Sequence, residues 1–279
     1  MINSLKDCVT LNNGVKMPGL GLGVFQVEDG AQTINAIKYA VDAGYISIDT
    51  AAIYNNEKSV GVAIKECGVA REKLFITSKL WNKFQGYDST LKAFDVTMQD
   101  LQLEYIDLYL IHWPLPKNNM FIETWKAMEK LYKDGKIRAI GVSNFEPQWI
   151  KEIMDACEVV PALNQVECHP YLQQEPLLKF HKETGIQMQA WSPLAQGEIF
   201  KDAKLKEIAD KYGKTVAQLA VRWLLQRDII TIPKSIQKDR IISNVDVFDF
   251  EISEQDMELM KTFDKGERQG PDPHDFHMV

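Results

Sequence analysis

At 279 residues, 45% hydrophobic and 25% charged, the chain has a globular composition and enough length for one large core. No run approaches the ~18 apolar residues of a membrane span, and MINSLKDCVTL has no apolar region behind Lys6 and Asp7, so a soluble cytoplasmic protein without a targeting segment is expected. A net charge of −7 without a basic stripe argues against nucleic acid as a partner, and Cys8, Cys67, Cys157 and Cys168 form no C-x-x-C pair for zinc, redox or disulfide chemistry.

The first element is a small hairpin, VTL-NNG-VKM, in which Asn13-Gly14 suits a tight turn, and it is expected to close the bottom of a barrel. Eight short apolar runs follow in order: LGLGV at Leu20, YISID to Asp49, LFITS to Ser78, IDLYLI to Ile111, IRAIGV to Val142, ALNQVE to Glu167, IQMQAW to Trp191 and IITI to Ile232. Several are apolar on successive residues, as strands covered on both faces of a parallel sheet are. Helical patterns separate them. Phe121, Trp125, Met128 and Tyr132 share one face and end at Gly135, while Val216, Leu219, Ala220, Trp223 and Leu224 share another, started by a Thr215/Gln218 capping box. The tail from Lys265, with GPDPHDF at Gly270 to Phe276, is turn-rich and is expected to wrap over the opposite end. No linker or repeat divides the chain. A single (β/α)₈ barrel domain over residues 1–279 is the economical reading.

In such a barrel the chemistry sits where strands end and βα loops begin. Asp49 ends the second strand, Lys79 the third and His112 the fourth, and Tyr54 lies in the loop just after Asp49. Each alone also suits a structural role, as a buried ion pair, a loop aromatic or a core histidine. Together at consecutive strand ends they form an acid–base device. A phenol, with a reference pKa of about 10, is a poor acid near neutrality; a buried Lys79 would lower that value, Asp49 would keep Lys79 charged, and His112 would donate to a substrate carbonyl. Clustered histidines for a metal are not read, and His169, His181, His274 and His277 are assigned to surface or packing.

These residues sit in motifs that resemble the aldo-keto reductase family along nearly the whole chain: GLGVF, DTAAIYNNE, ITSKLW, YLIHWP, GKIRAIGVSNF, LNQVE, WSPL and IPKS, in that order. The sequence is most similar to the bacterial glyoxal and 2,5-diketogluconate reductase group. The resemblance implies that Asp49, Tyr54, Lys79 and His112 are the catalytic tetrad, that NADPH is the cofactor, and that small aldehydes, α-oxoaldehydes and ketones are the substrates. It further implies that Ser143, Asn144 and Gln165 hold the nicotinamide carboxamide, that Trp191 stacks on the ring within a cofactor stretch that includes Ser192 and Leu194, and that Phe25, Trp81 and Trp113 line the substrate pocket.

No G-x-G-x-x-G opens a βαβ unit, so cofactor binding is placed elsewhere, on Lys234, Ser235, Arg240 and Asn244, whose charges suit a 2′-phosphate. Ser243 stands where the family often has glutamate. The short PLPKNNM loop (Pro114 to Met120) leaves one side of the mouth open in this reading. A monomer is expected, with a small carbonyl compound as its only partner. Two other readings are carried: a nucleotide-binding sensor or structural protein on the same barrel, and a lyase using Lys79 or Lys234 as a Schiff base.

Overall fold

The computed structural model describes residues 2–279. Its first strands, β1 (Cys8–Thr10) and β2 (Lys16–Pro18), pair antiparallel, and the connection is residues 11–15, in which Leu11 N–H donates to the Val15 carbonyl and Gly14 lies at φ +84°. Leu11 and Met17 from this hairpin are buried against the barrel floor, and Asn12 and Asn13 donate to the carbonyls of Pro161 and Arg138. The hairpin thus closes the end at which the strands begin.

The barrel then alternates strand and helix: β3 (Leu22–Gly23), α1 (Ala31–Asp42), β4 (Ser47–Asp49), α2 (Glu57–Glu66), β5 (Phe75–Leu80), α3 (Tyr87–Leu101), β6 (Ile106–Ile111), α4 (Phe121–Lys133) and β7 (Ile137–Ser143). It continues with α5 (Pro147–Ala156), β8 (Leu163–Glu167), α6 (Glu175–Thr184), β9 (Gln187–Trp191), α7 (Ala203–Lys211), α8 (Val216–Gln226), β10 (Ile230–Thr231), α9 (Lys238–Ser243) and α10 (Glu254–Lys261). Strands β3 to β10 lie side by side in chain order, and all the pairings are parallel. A parallel bridge between Leu20 and Thr231, with Gly21 N–H donating to Thr231 at 3.0 Å and Thr231 N–H to Gly19 at 3.1 Å, joins the first strand to the last. The eight apolar runs are these eight strands.

Every residue of β5 and β6 is buried, which is why those runs carry no hydrophobic alternation. Alternation survives as a difference in surroundings. Phe75, Leu108, Leu110, Ala139, Leu163 and Ile230 fill the floor of the barrel, while the intervening residues pack under the helices. Because side chains repeat their direction every second residue, the inward set continues up each strand from this floor. On β5 it runs from Phe75 to Lys79, on β7 from Ala139 to Ser143, and on β8 from Leu163 through Gln165 to Glu167. Polar residues occupy its upper level. Gly141 leaves room for this packing: a Cβ there would stand 2.6 Å from the Leu163 carbonyl oxygen and 2.8 Å from Leu110.

The capping box forms as the spacing requires, with Gln218 N–H donating to Thr215 Oγ1 at 3.2 Å and Thr215 N–H donating to Gln218 Oε1 at 2.9 Å. It starts α8, whose residues Val216 and Gln218 through Leu225 are buried. Thr215→Ala removes an acceptor for a first-turn N–H and should cost about 1 kcal/mol. Urea denaturation checks this, and an unchanged midpoint would show that the cap does not contribute.

Candidate active site

Lys79 is wholly buried, and its ammonium has three donors to satisfy. Asp49 Oδ1 takes one at 2.5 Å, the Thr50 carbonyl the second at 2.9 Å, and the Tyr54 hydroxyl oxygen the third at 3.2 Å. Asp49, 2% exposed, is held in turn by Gln165 Nε2, which donates to its Oδ2 at 2.7 Å. Burial works against the Lys79 charge, but Asp49 and the Tyr54 oxygen outweigh it and hold the lysine above its usual range. The cation stays charged at neutral pH. Tyr54 reaches it from a short 3-10 turn, Ala52–Tyr54, that directly follows β4.

The direction of the Tyr54 shift differs from the expectation. Burial raises the phenol above its ordinary value, Lys79 lowers it and Asp49 raises it again, and the net direction is upward. Burial outweighs the field on which the expectation relied, and Asp49 opposes that field further. In the free enzyme the phenol therefore keeps its proton, and because its oxygen already accepts from Lys79, the O–H is free to point into the cleft.

His112, 7% exposed, packs edge-on to Trp81 and Tyr54, with ring centroids 5.4 and 5.8 Å away. Burial, reinforced by the Lys79 charge, holds its pKa well below the usual value, so the imidazole is neutral. Nδ1 is buried without a hydrogen-bond partner among the described residues. Leaving an acceptor unpaired costs less than leaving an N–H unpaired, which places the ring proton on Nε2. The neutral ring therefore offers an N–H donor and no charge.

The upper ends of β7 to β9 add a linked amide layer. Ser143 Oγ donates to the Gln165 carbonyl at 2.9 Å, Asn144 Nδ2 donates to the His112 carbonyl at 3.0 Å, and Trp191 Nε1 donates to Asn144 Oδ1 at 2.8 Å. Asn144 has φ +64°, a left-handed conformation that asparagine tolerates. Gln165 Nε2 also donates to Gln189 Oε1 at 2.8 Å, so both its protons are committed and only its Oε1 remains to accept from a ligand amide.

Comparison with known proteins matches this architecture. The model of the "Aldo/keto reductase family" covers residues 19–265. The chain belongs to the aldo/keto reductase family. It is 55% identical over 273 residues to a glyoxal reductase of Bacillus subtilis (strain 168), covering 98% of each chain. It is 44% identical over 270 residues to the methylglyoxal reductase DkgA of Escherichia coli (strain K12), covering 96% of this chain and 97% of that one. Among solved structures, a Gox0644 variant in complex with NADPH superposes with a TM-score of 0.93 at 41% identity, covering 97% of this chain and 98% of the other.

In this aldo/keto reductase the remaining cofactor candidates form a second group, on the loop after β10 and on α9. Lys234 and Arg240 are exposed, and neither has an ion-pair partner among the described residues. Ser235 accepts from Gln237 N–H at 3.1 Å just before α9, and Asn244 closes that helix. Two free cations beside a hydroxyl form a donor set that fits a phosphate. Between the two groups, Ser192, Ala195, Gln196 and Gly197 all have positive φ, and Leu194 packs its side chain on the core. Leu194 therefore has its backbone, not its side chain, to offer a ligand.

Phe25 stands at the rim, 53% exposed and 5.0 Å from the Tyr54 ring, while Trp81 and Trp113 are buried deeper. The tail adds an aromatic that the sequence reading passed over: Phe276 lies 4.2 Å from Trp113 and 6.4 Å from Trp81 between ring centroids. Lys117 meets His277 at 2.7 Å, and Asn82 Nδ2 donates to the Met278 carbonyl at 2.8 Å. The side of the mouth that the short Pro114–Met120 loop was expected to leave open is therefore covered by the tail. Of the other histidines, His169 and His181 are buried in hydrogen-bonded packing sites, and His274 packs tilted against Trp149 with ring centroids 4.8 Å apart.

Beneath Lys79, on the opposite face of β5, Ser78 Oγ donates to Glu57 Oε1 at 2.5 Å and Thr97 Oγ1 donates to Oε2 at 3.3 Å. Burial pushes the Glu57 carboxyl up to about 7 from its ordinary 4.5. A folded-state pKa above the unfolded one means that stability is fully present at low pH and is lost as pH rises towards 7. Glu57→Gln removes that loss. The variant should gain on the wild type by on the order of 2 to 3 kcal/mol between about pH 5 and about pH 8. Urea denaturation at both pH values reads the gap, and a constant gap would contradict a buried neutral acid.

Proposed function

We propose that this chain reduces small aldehydes, α-oxoaldehydes of the glyoxal and methylglyoxal type, and ketones to alcohols, with NADPH as the reductant. The observation that carries the reading is the Lys79 ammonium, whose three donors are spent on Asp49, Thr50 and Tyr54. The names of the relatives support the substrate class, and the NADPH complex of the superposed neighbour supports the cofactor.

Bound NADPH would be the source of the hydride for the carbonyl carbon. Tyr54 O–H and His112 Nε2–H both donate to the carbonyl oxygen in this reading, orienting it and stabilising the charge that develops there. Tyr54 then delivers its proton to that oxygen. As it does so, the negative charge left on the phenolate is met by Lys79 at 3.2 Å, and this stabilisation of the phenolate offsets part of the rise that burial imposes on the phenol. Asp49 keeps the lysine charged throughout. Trp191 offers a flat face for the nicotinamide, with Ser143, Asn144 and the free Gln165 oxygen placed for its carboxamide, while Lys234, Ser235, Arg240 and Asn244 take the phosphate end. Phe25, Trp81 and Trp113, with Phe276, exclude water and favour small apolar substituents. We assign all of residues 1–279 to one such unit, acting as a cytoplasmic monomer; no described helix is long and apolar enough to cross a membrane.

Tyr54→Phe tests the assignment because it removes one oxygen. Turnover of methylglyoxal should fall by about 10² to 10⁴, with NADPH affinity close to wild type by fluorescence titration. Undiminished reduction would remove Tyr54 from the chemistry. A wild-type protein that binds NADPH and consumes none with an aldehyde panel would instead indicate a nucleotide-binding sensor.

A further inference from the structure

Glu167 closes the inward-facing set on β8 and has no part in the chemistry above. Its side chain is wholly buried, and no lysine or arginine pairs with it among the described residues. Its partners are instead the tail and a neighbouring imidazole. Oε1 accepts from Gln269 N–H at 2.6 Å, from Gly270 N–H at 3.2 Å and from His169 Nε2 at 3.0 Å, and Oε2 lies 3.2 Å from the same Gly270 N–H. A buried carboxylate satisfied by two successive backbone amides is costly to build unless the segment it holds has to stay in place.

That segment is wedged against Trp191. Glu167 and Trp191 are register partners on β8 and β9, so the tail crosses both residues at once. A Cβ built at Gly270 would stand 2.4 Å from Trp191 Cη2 and 3.0 Å from Cζ3, so only glycine lets the backbone lie on the indole edge. The other end of the ring is tied by Nε1 to Asn144 at 2.8 Å. Upstream, Lys265 and Glu267 N–H both donate to the Tyr171 carbonyl. Downstream, Phe276 docks on Trp113. The latched pair therefore sits mid-way along a strap that runs from one rim of the barrel to the aromatic wall. It lies outside the span matched by the family model, residues 19–265.

We propose that Glu167 is a positioning residue for the nicotinamide platform: its carboxylate fastens the Gln269–Gly270 backbone onto the edge of Trp191 and so fixes the plane of the indole. The proposal rests on the reading of Trp191 as the face that receives the nicotinamide. An indole held at both ends needs no ordering when the cofactor arrives, and losing the latch returns that cost to the binding step.

Two variants of the full chain test it. Glu167→Gln keeps one acceptor but sets an NH₂ against the Gly270 N–H. Gly270→Ala acts from the tail, outside the barrel, and decides the matter alone if the strand variant does not fold. In both, hydrogen exchange of the free enzyme should lose protection at residues 267–278 while the barrel strands keep theirs. NADPH should bind about tenfold more weakly by quenching of tryptophan fluorescence, and kcat should fall while KM for the carbonyl substrate holds. Wild-type tail protection, or lost tail protection with unchanged NADPH affinity, would overturn the proposal. If the wild type itself binds no NADPH, the reductase reading fails and the positioning role falls with it, while the exchange experiment still reports separately whether Glu167 fastens the tail.

Discussion

A buried ammonium with three acceptors is the constraint on which the site depends. Lys79 could not be charged at the core of the barrel without Asp49, and Asp49 could not be ionised there without Lys79 and Gln165. Once that pair is built, the last donor of the lysine fixes where the Tyr54 oxygen must sit and leaves its proton uncommitted. The charge lowers the pKa of the phenol by stabilising the phenolate, but burial outweighs it and Asp49 opposes it, so the net direction is upward.

The barrel makes this arrangement economical. Several strands contribute inward polar residues at the upper level, two of them from β8, and neighbouring strands bring such residues within hydrogen-bond reach. Asp49, Lys79, Ser143, Gln165, Glu167 and Trp191 are thus successive products of one geometric rule, applied above a floor of apolar side chains. His112 extends it one residue past β6, where its N–H still donates to the Leu80 carbonyl. The tail completes the enclosure from the far end of the chain. It supplies Phe276 to the aromatic wall and two backbone amides to Glu167.

Much of this was legible in the order of residues. The strands showed as short apolar runs, the start of α8 showed in the Thr215/Gln218 pair, and the reactive groups stood out because strand ends are easy to locate and few polar residues occupy them. The tail contacts left no such trace. Glu167 is held mainly by backbone N–H groups, which every residue but proline carries, and Phe276 meets Trp113 only through the folding of the whole chain. The direction of the Tyr54 shift was misread for a related reason. A lysine beside a phenol predicts a lower pKa, but burial and the opposing Asp49 charge are properties of the assembled site.

The most direct test of the account is the ionisation of Tyr54 in the free enzyme, followed by ultraviolet difference titration of wild type against Tyr54→Phe, with and without Lys79→Met. The phenol should titrate above the ordinary tyrosine value of about 10 while Lys79 is present, and higher still once the cation is gone. A phenol that ionises below that value would contradict the net upward shift, and one that does not respond to the loss of Lys79 would show that the lysine does not hold the Tyr54 oxygen.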